Sequence, residues 1–227
     1  PEHKTDRNKY INILINDLIP YVSENELAYF CDGFCESTAF SADEIDAIFT
    51  KAAECGLNIK LHTEQFNAIG GLDIALKHNA VSVDHLEVLK ITDIPKITSS
   101  GTVAVLLPGV SFFLDYQYAP ALELIKNNGI LALSTDFNPG SSHINNIHFI
   151  MWLAAIKMKM TVEEIISAVT INAAKSLKLE NDRGSIEINK KADFVIFDVR
   201  EYSEIIYNMG INSVYMTIKD GEIIYNS

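Results

Sequence analysis

The chain has 227 residues, 48% of them apolar and 21% charged, with a net charge of −12. Such a composition is globular rather than disordered, and its acidity argues against nucleic acid or an anionic membrane as partner, since both need a basic patch. Cys31, Cys35 and Cys55 are too few and too scattered for a disulfide framework and fit a reducing cytoplasm. No apolar run reaches the roughly eighteen residues that span a bilayer, and the polar start at residues 1–6 predicts no signal peptide.

The first predicted element is an amphipathic stretch, Tyr10–Glu24. An apolar run over 27–35 reads as a strand, followed by four more at 58–62, 80–85, 102–107 and 129–135. The first of these contains Cys31 and Cys35, whose spacing is not that of a metal pair, so they are read as strand thiols. Helices fill the intervals. One starts at Ser41, where Ser41 and Glu44 have the spacing of a capping box. Another follows Gly70-Gly71, a third lies near 91–99, and a fourth covers 119–127. Strand ends recur at intervals of about 22–29 residues, the size of a βα unit. The strands read as apolar throughout, which predicts cover on both faces. The pattern is α/β, an incomplete (β/α)8 TIM-type barrel of about five βα units. A doubly wound nucleotide-binding sheet is disfavoured, because no glycine-rich turn follows the first strand.

Beyond residue 135 the texture changes. Residues 144–160 read as a long apolar helix, and Thr161 and Glu164 cap a second one running to about Leu177. Strands are expected at 184–187, 192–198 and 213–226, the last folded at Asp220-Gly221 into a two-residue hairpin. The expected division is a partial barrel, 1–180, and part of a small antiparallel β domain, 181–227. A tail of about 45 residues buries too little core to stand alone, so it is expected to pair with strands from a region before Pro1.

Three expected strands end in residues that bind metals or move protons: His62, His85 and Asp136. In a barrel all strand C-termini face one mouth, where catalysis takes place. The three are therefore expected to converge, and Asp136 to find its partner in a divalent cation shared with His62, or in His85 itself. A lone histidine at a strand end is more often structural, and His3, His78, His143 and His148 are read that way. Just past Asp136, the Asn138-Pro-Gly140-Ser141-Ser142 turn offers N–H groups and hydroxyls suited to a carboxylate.

The stretches FCESTAFS (34–41), IKLHTEQ (59–65), VSVDHLE (81–87), GTVAVLLPG (101–109), LSTDFNPGSS (133–142) and MTVEEIISAVTINAAKSL (160–177) are specific enough to compare. With them the chain resembles the imidazolonepropionase family of the amidohydrolase superfamily, from Pro1 to Ser227. GSIEINKKADFVIFD (184–198) matches the generic tail of that superfamily. The resemblance implies hydrolysis of the ring amide of 4-imidazolone-5-propanoate to N-formimidoyl-L-glutamate in histidine degradation. It makes His62 and Asp136 ligands of one divalent metal ion, zinc or iron, and His85 the histidine that polarises the reacting group or the water. Gln65 stands where the family contacts the substrate ring, and Asn138, Gly140 and Ser141 would hold the propionate. A small-molecule substrate, a homodimer and a cytoplasmic location follow from the same likeness.

The family also uses a His-x-His pair at its first strand, together with an arginine, a tyrosine and a further histidine ahead of this region. No His-x-His occurs in the 227 residues. The expectation is therefore of two protein ligands out of four, with weak or absent metal binding and no useful activity for this chain alone. The alternatives are another cyclic amidohydrolase or deaminase of the superfamily, and a non-catalytic subunit that keeps only the fold.

Overall fold

The structure is a computed structural model that describes residues 6–227. It falls into two units, Pro1–Thr102 and Val103–Ser227. The first opens with helix α1 (Arg7–Ile13), capped by the Asp6 side chain, which accepts from the Lys9 N–H. A π-helical turn, Leu14–Leu18, joins it to α2 (Ile19–Glu24). That widened turn sits just ahead of Pro20, which has no N–H to give to a regular ladder. Then come β1 (Phe30–Cys35), α3 (Ala42–Glu54), β2 (Asn58–Thr63), α4 (Gly71–Lys77), β3 (Ser82–His85), a 3-10 turn at Ile91–Asp93, and α5 (Ile94–Ser100). β1, β2 and β3 pair in parallel, in chain order.

The capping box expected at Ser41 is present: the Ser41 hydroxyl accepts from the Glu44 N–H, and the Glu44 carboxylate accepts from the Ser41 N–H. Helix α3 buries Ile45, Ile48, Phe49 and Ala52, each large side chain stabilising by about 1.5–3 kcal/mol. Glu44 also holds Arg7 through two hydrogen bonds, and that pairing depresses its pKa from 4.5 to about 2. A depressed carboxylate pKa contributes stability that is present above its unfolded value and lost as pH falls through the folded one. Because half of the Arg7 side chain is exposed, the contribution is reduced by solvent screening. We expect Glu44→Gln to cost about 1 kcal/mol near neutral pH. In urea melts its difference from the parent should shrink between about pH 5 and pH 2.

The expectation of strands apolar on both faces holds for the later strands at Val103–Leu106 and Leu131–Leu133 and fails for β1 and β2, while β3 is wholly buried but carries Ser82, Asp84 and His85. In β2, buried Ile59, Leu61 and Thr63 alternate with half-buried Asn58, Lys60 and His62. Register places Asp32 beside Lys60 and His62 beside Asp84. One face of this sheet is thus a polar ladder, with Lys60 and His62 alternating with buried Ile59, Leu61 and Thr63. Gly71 is set by the close approach of α4. A Cβ there would meet Thr63 Oγ1 at 2.2 Å and Cys35 Cβ at 2.8 Å. Gly71→Ala should therefore destabilise the chain by about 1–3 kcal/mol through overpacking, read as a lowered urea midpoint.

The second unit contains β4 (Val103–Leu106), α6 (Pro108–Phe113), α7 (Ala121–Lys126), β5 (Leu131–Leu133), α8 (Ile147–Met158), α9 (Val162–Val169) and α10 (Ile171–Ser176). β4 and β5 pair in parallel. Val103, Val105, Leu107, Val110 and Ala132 form one buried cluster, with Tyr116, Ile130 and Ala173 packed on it. The Asn172 amide donates to the Leu131 carbonyl at 2.8 Å and pins α10 to β5. The helix expected to run from Thr161 to Leu177 is broken at Thr170, whose φ −120° and ψ −97° are not helical. Three short antiparallel strands complete the unit: β6 (Phe194–Phe197), β7 (Val214–Lys219) and β8 (Glu222–Asn226), with α11 (Glu204–Tyr207) between β6 and β7. Asp220 and Gly221 have φ +52° and +86°, the left-handed pair of a type I′ hairpin. Residues 184–187 are not a strand: Gly184 turns at φ +89°, packed against the Thr170–Ala174 segment. The five βα units, three in the first unit and two in the second, make the fold an incomplete (β/α)8 barrel followed by a small antiparallel sheet. Among the described residues no helix is long and apolar enough to cross a membrane.

Candidate active site

In the first unit the strand ends deliver His62, Gln65 and His85. His62, the fifth residue of β2, turns Nδ1 to Asp32 at 3.0–3.1 Å. The carboxylate accepts, so Nδ1–H is the donor of this pair. Nε2 lies 3.9 Å from the nearest Asp84 carboxylate oxygen, beyond hydrogen-bond length. A carboxylate on the remote ring nitrogen is the usual way to fix a ligating imidazole. The rings of His62 and His85 are 5.6 Å apart, centre to centre.

His85 ends β3 with φ +88°, and Leu86 follows at +70°. Two successive L-residues in left-handed backbone are strained. The kink buries the imidazole, with Nδ1 3.4 Å from a Glu87 oxygen. Gln65 is buried in the loop after β2. Its neighbour Glu64 is also left-handed, at φ +55°. Burial, helped by Asp93, pushes the Glu64 carboxyl up to about 7, against a hydrogen bond from Leu72 and the charge of Lys90. Asp84 is raised as well, mainly by burial. Lys60 and His62 oppose that shift, as does the Ser82 hydroxyl, which donates to it at 2.7 Å.

In the second unit Asp136 follows β5 and is itself left-handed, at φ +47°. Asn138 organises the loop. Its Oδ1 accepts from the N–H groups of Gly140 and Ser141, both at 2.8 Å. Its Nδ2 donates to the Asp136 carbonyl at 2.7 Å and to Asp136 Oδ2 at 3.1 Å. The N–H groups read as carboxylate binders thus lie on Asn138 in this structure. His143 is structural, bonded to the Pro139 carbonyl at 2.9 Å and stacked on Phe113. His78 pairs with Asp46 at 2.6 Å, and His148 sits in α8 against Phe197. His3 lies outside the described residues.

An apolar cavity of about 750 Å³ opens elsewhere in the second unit, lined by Met151, Ile166, Ala173, Phe194 and Phe197 among others. Of its polar lining, Arg183 is ion-paired with Asp193, and burial holds the His148 pKa down. It offers no convergent acid–base pair, so we do not place chemistry there. Asp32, Asp84 and Glu36 were missed in the sequence. The signal available was a polar residue inside or directly after an apolar run.

These features, acid–base side chains on kinked strand ends of βα units, are those of a hydrolase barrel. The sequence profile of the amidohydrolase family matches residues 33–224, and the chain belongs to that family. Among curated proteins it is similar to the imidazolonepropionase of Flavobacterium johnsoniae, 43% identical over 99% of this chain and 55% of the relative. It is also similar to that of Thermoanaerobacter pseudethanolicus, 44% identical over 96% of this chain and 52% of the relative. The chain spans about half the length of the curated relatives it matches. Among solved structures it resembles a Xanthomonas campestris adenosine deaminase with bound zinc (TM-score 0.70, 19% identity, 82% of this chain and 49% of that one). It likewise resembles an atrazine chlorohydrolase mutant from Arthrobacter aurescens complexed with zinc and atraton (TM-score 0.76, 14% identity, 93% and 56%). At these identities the structural likeness speaks for the fold.

Proposed function

We propose that this chain is the part of an imidazolonepropionase that carries His62, Gln65, His85 and Asp136, and that it opens the ring amide of 4-imidazolone-5-propanoate to N-formimidoyl-L-glutamate in histidine degradation. The observation that carries the reading is His62 held through Nδ1 by Asp32 beside the kinked His85, in a chain more than 40% identical to two curated imidazolonepropionases. Among the described residues no three His, Cys, Asp or Glu side chains gather as a metal cage. The chemistry of the donors nevertheless fits a divalent ion, zinc or iron: an imidazole whose Nδ1 is taken up by Asp32, and a carboxylate. His62 and Asp136 would hold it. Such an ion lowers the pKa of water and polarises a carbonyl.

The chain's own residues do the rest. Water oxygen joins the ring carbonyl carbon and the C–N bond breaks. Asp136 takes the proton of the attacking water and passes it to the leaving nitrogen. His85, with Nδ1 turned to Glu87, presents Nε2 to the reacting oxygen. Gln65 contacts the ring. The propionate competes with Asn138 Oδ1 for the N–H groups of Gly140 and Ser141. We place these groups in a barrel part, 1–180, with the β tail 181–227, in a cytoplasmic homodimer. The test is loss of imidazolone ultraviolet absorbance, with metal analysis, for the chain alone and for the chain supplied with the remaining part of a curated relative. Turnover only in the second case supports the reading. Robust turnover by the chain alone, or none in either case, overturns it.

A further inference from the structure

Glu36 follows β1 directly and is 1% exposed, yet nothing in the reaction above uses it. Its carboxylate is surrounded by donors, three of the four from another segment of the chain. Oε1 accepts from the N–H groups of Phe66 and Asn67, each at 2.9 Å. Oε2 accepts from Asn67 Nδ2 at 3.0 Å, and from the Ser37 N–H at 3.3 Å. Burial alone would raise the pKa of this group. The N–H groups of Asn67, Phe66 and Ser37 outweigh that and hold it below the usual carboxylate range. The acid is therefore an ionised clasp, and charge-assisted bonds of this kind are stronger than neutral ones.

The clasp has a rigid base and a loop at its far end. Around Glu36 the chain is tied back on itself: Glu36 N–H donates to the Phe40 carbonyl at 3.2 Å, and Phe40 N–H to the Phe34 carbonyl at 3.0 Å. The far end is the segment between β2 and α4, which has no regular secondary structure between Glu64 and Gly70. That segment carries Gln65, one residue before the first bonded amide. A loop without a backbone ladder is held in place by its side-chain anchors, and a misplacement of about 1 Å at a binding group can cost on the order of 10²-fold in rate.

We propose that Glu36 is a positioning residue: its buried carboxylate fixes the Phe66–Asn67 backbone and thereby sets Gln65 against the substrate ring. The assignment of Gln65 rests on the function proposed above, whereas the clasp stands on geometry alone. Glu36 acts through Gln65 and touches no reacting atom.

Three variants separate the parts. Glu36→Gln can keep an oxygen for the two backbone N–H groups but sets an NH2 group against Asn67 Nδ2. Glu36→Ala removes the clasp. Pairing Glu36→Gln with Asn67→Asp exchanges amide and carboxylate, and so restores donor to acceptor. In hydrogen exchange on this chain, the amides of Phe66 and Asn67 should exchange at least about tenfold faster in Glu36→Ala and less so in Glu36→Gln, and return toward the parent rate in the exchanged pair. In the chain supplied with the remainder of a relative, KM per folded site should rise about tenfold in Glu36→Ala. The same change should add nothing in a Gln65→Ala background, because the two act in series. Ser23→Ala, which removes a hydrogen bond to the Cys55 carbonyl ahead of β2, at the end of that strand opposite this loop, should lower stability and leave KM unchanged. Unaltered exchange at Phe66 and Asn67 in Glu36→Ala overturns the clasp. Faster exchange with an unchanged KM, or an effect fully additive with Gln65→Ala, overturns the positioning role. Absence of parental turnover overturns the proposed reaction instead, and the exchange rates then decide the clasp.

Discussion

Asp136→Asn is expected to reduce imidazolone turnover in the completed enzyme by about 10³-fold or more, with little loss of stability. The two halves of that expectation have different causes. The carboxamide still offers an oxygen to Asn138 Nδ2, which in the parent donates to Asp136 Oδ2 at 3.1 Å. The left-handed backbone at φ +47° is also tolerated by asparagine better than by most residues. The loop therefore keeps its shape. What disappears is the negative charge and the ability to take and return a proton, each worth orders of magnitude when the group acts in the transition state. Metal content, measured by elemental analysis, should fall in parallel. An unchanged kcat in a variant that still folds would remove Asp136 from the reaction.

The second large effect is expected at Asn138, and two substitutions pull its roles apart. Asn138→Ala removes the acceptor for the Gly140 and Ser141 N–H groups and the donor to Asp136. Loss of these bonds should cost about 2–3 kcal/mol, since each partly buried bond contributes on the order of 1 kcal/mol. Asn138→Asp keeps the acceptor for both N–H groups but sets a carboxylate against Asp136. Its unfolding free energy in urea melts should fall by about 1–2 kcal/mol, for the two donor bonds to Asp136 that it loses, while kcat should fall about 10²-fold through the like charge set against the proposed proton carrier. If Asn138→Asp lost stability and kept its rate, the amide would be a turn-former and nothing more.

Local rules accounted for a good part of the fold. Both capping boxes, at Ser41 and Thr161, form as their spacing implied, because a hydroxyl and a carboxylate three residues apart need no tertiary help to satisfy helix N–H groups. The Asp-Gly hairpin at 220–221 forms for the same kind of reason: two left-handed residues fit the twist of paired strands. Strand cores were legible as apolar runs, but their ends were misplaced by up to three residues, as at Phe30 against an expected start at 27. Helix α6 (Pro108–Phe113) escaped notice, since its short apolar turn follows β4 almost without a break. The break at Thr170 lies inside a sequence that is helical on both sides, and Gly184, which packs against that point, is remote in the chain.

The site divides along the same line. His62, His85 and Asp136 were proposed because each is a polar group closing an apolar run, and family likeness supplied Gln65 and the Asn138–Ser141 loop. The partners that give those groups their chemistry were not visible. Asp32 reaches His62 across 30 positions and Glu36 reaches Asn67 across 31. Order along the chain determined which residues end strands, because alternation, capping and turn chemistry act within a few residues. Tertiary structure alone decided which nitrogen of His62 faces Asp32, which carboxyl groups are pushed up or held down, and what ties the Phe66–Asn67 backbone to Glu36, because hydrogen bonds and desolvation depend on distances that only strand register and burial set.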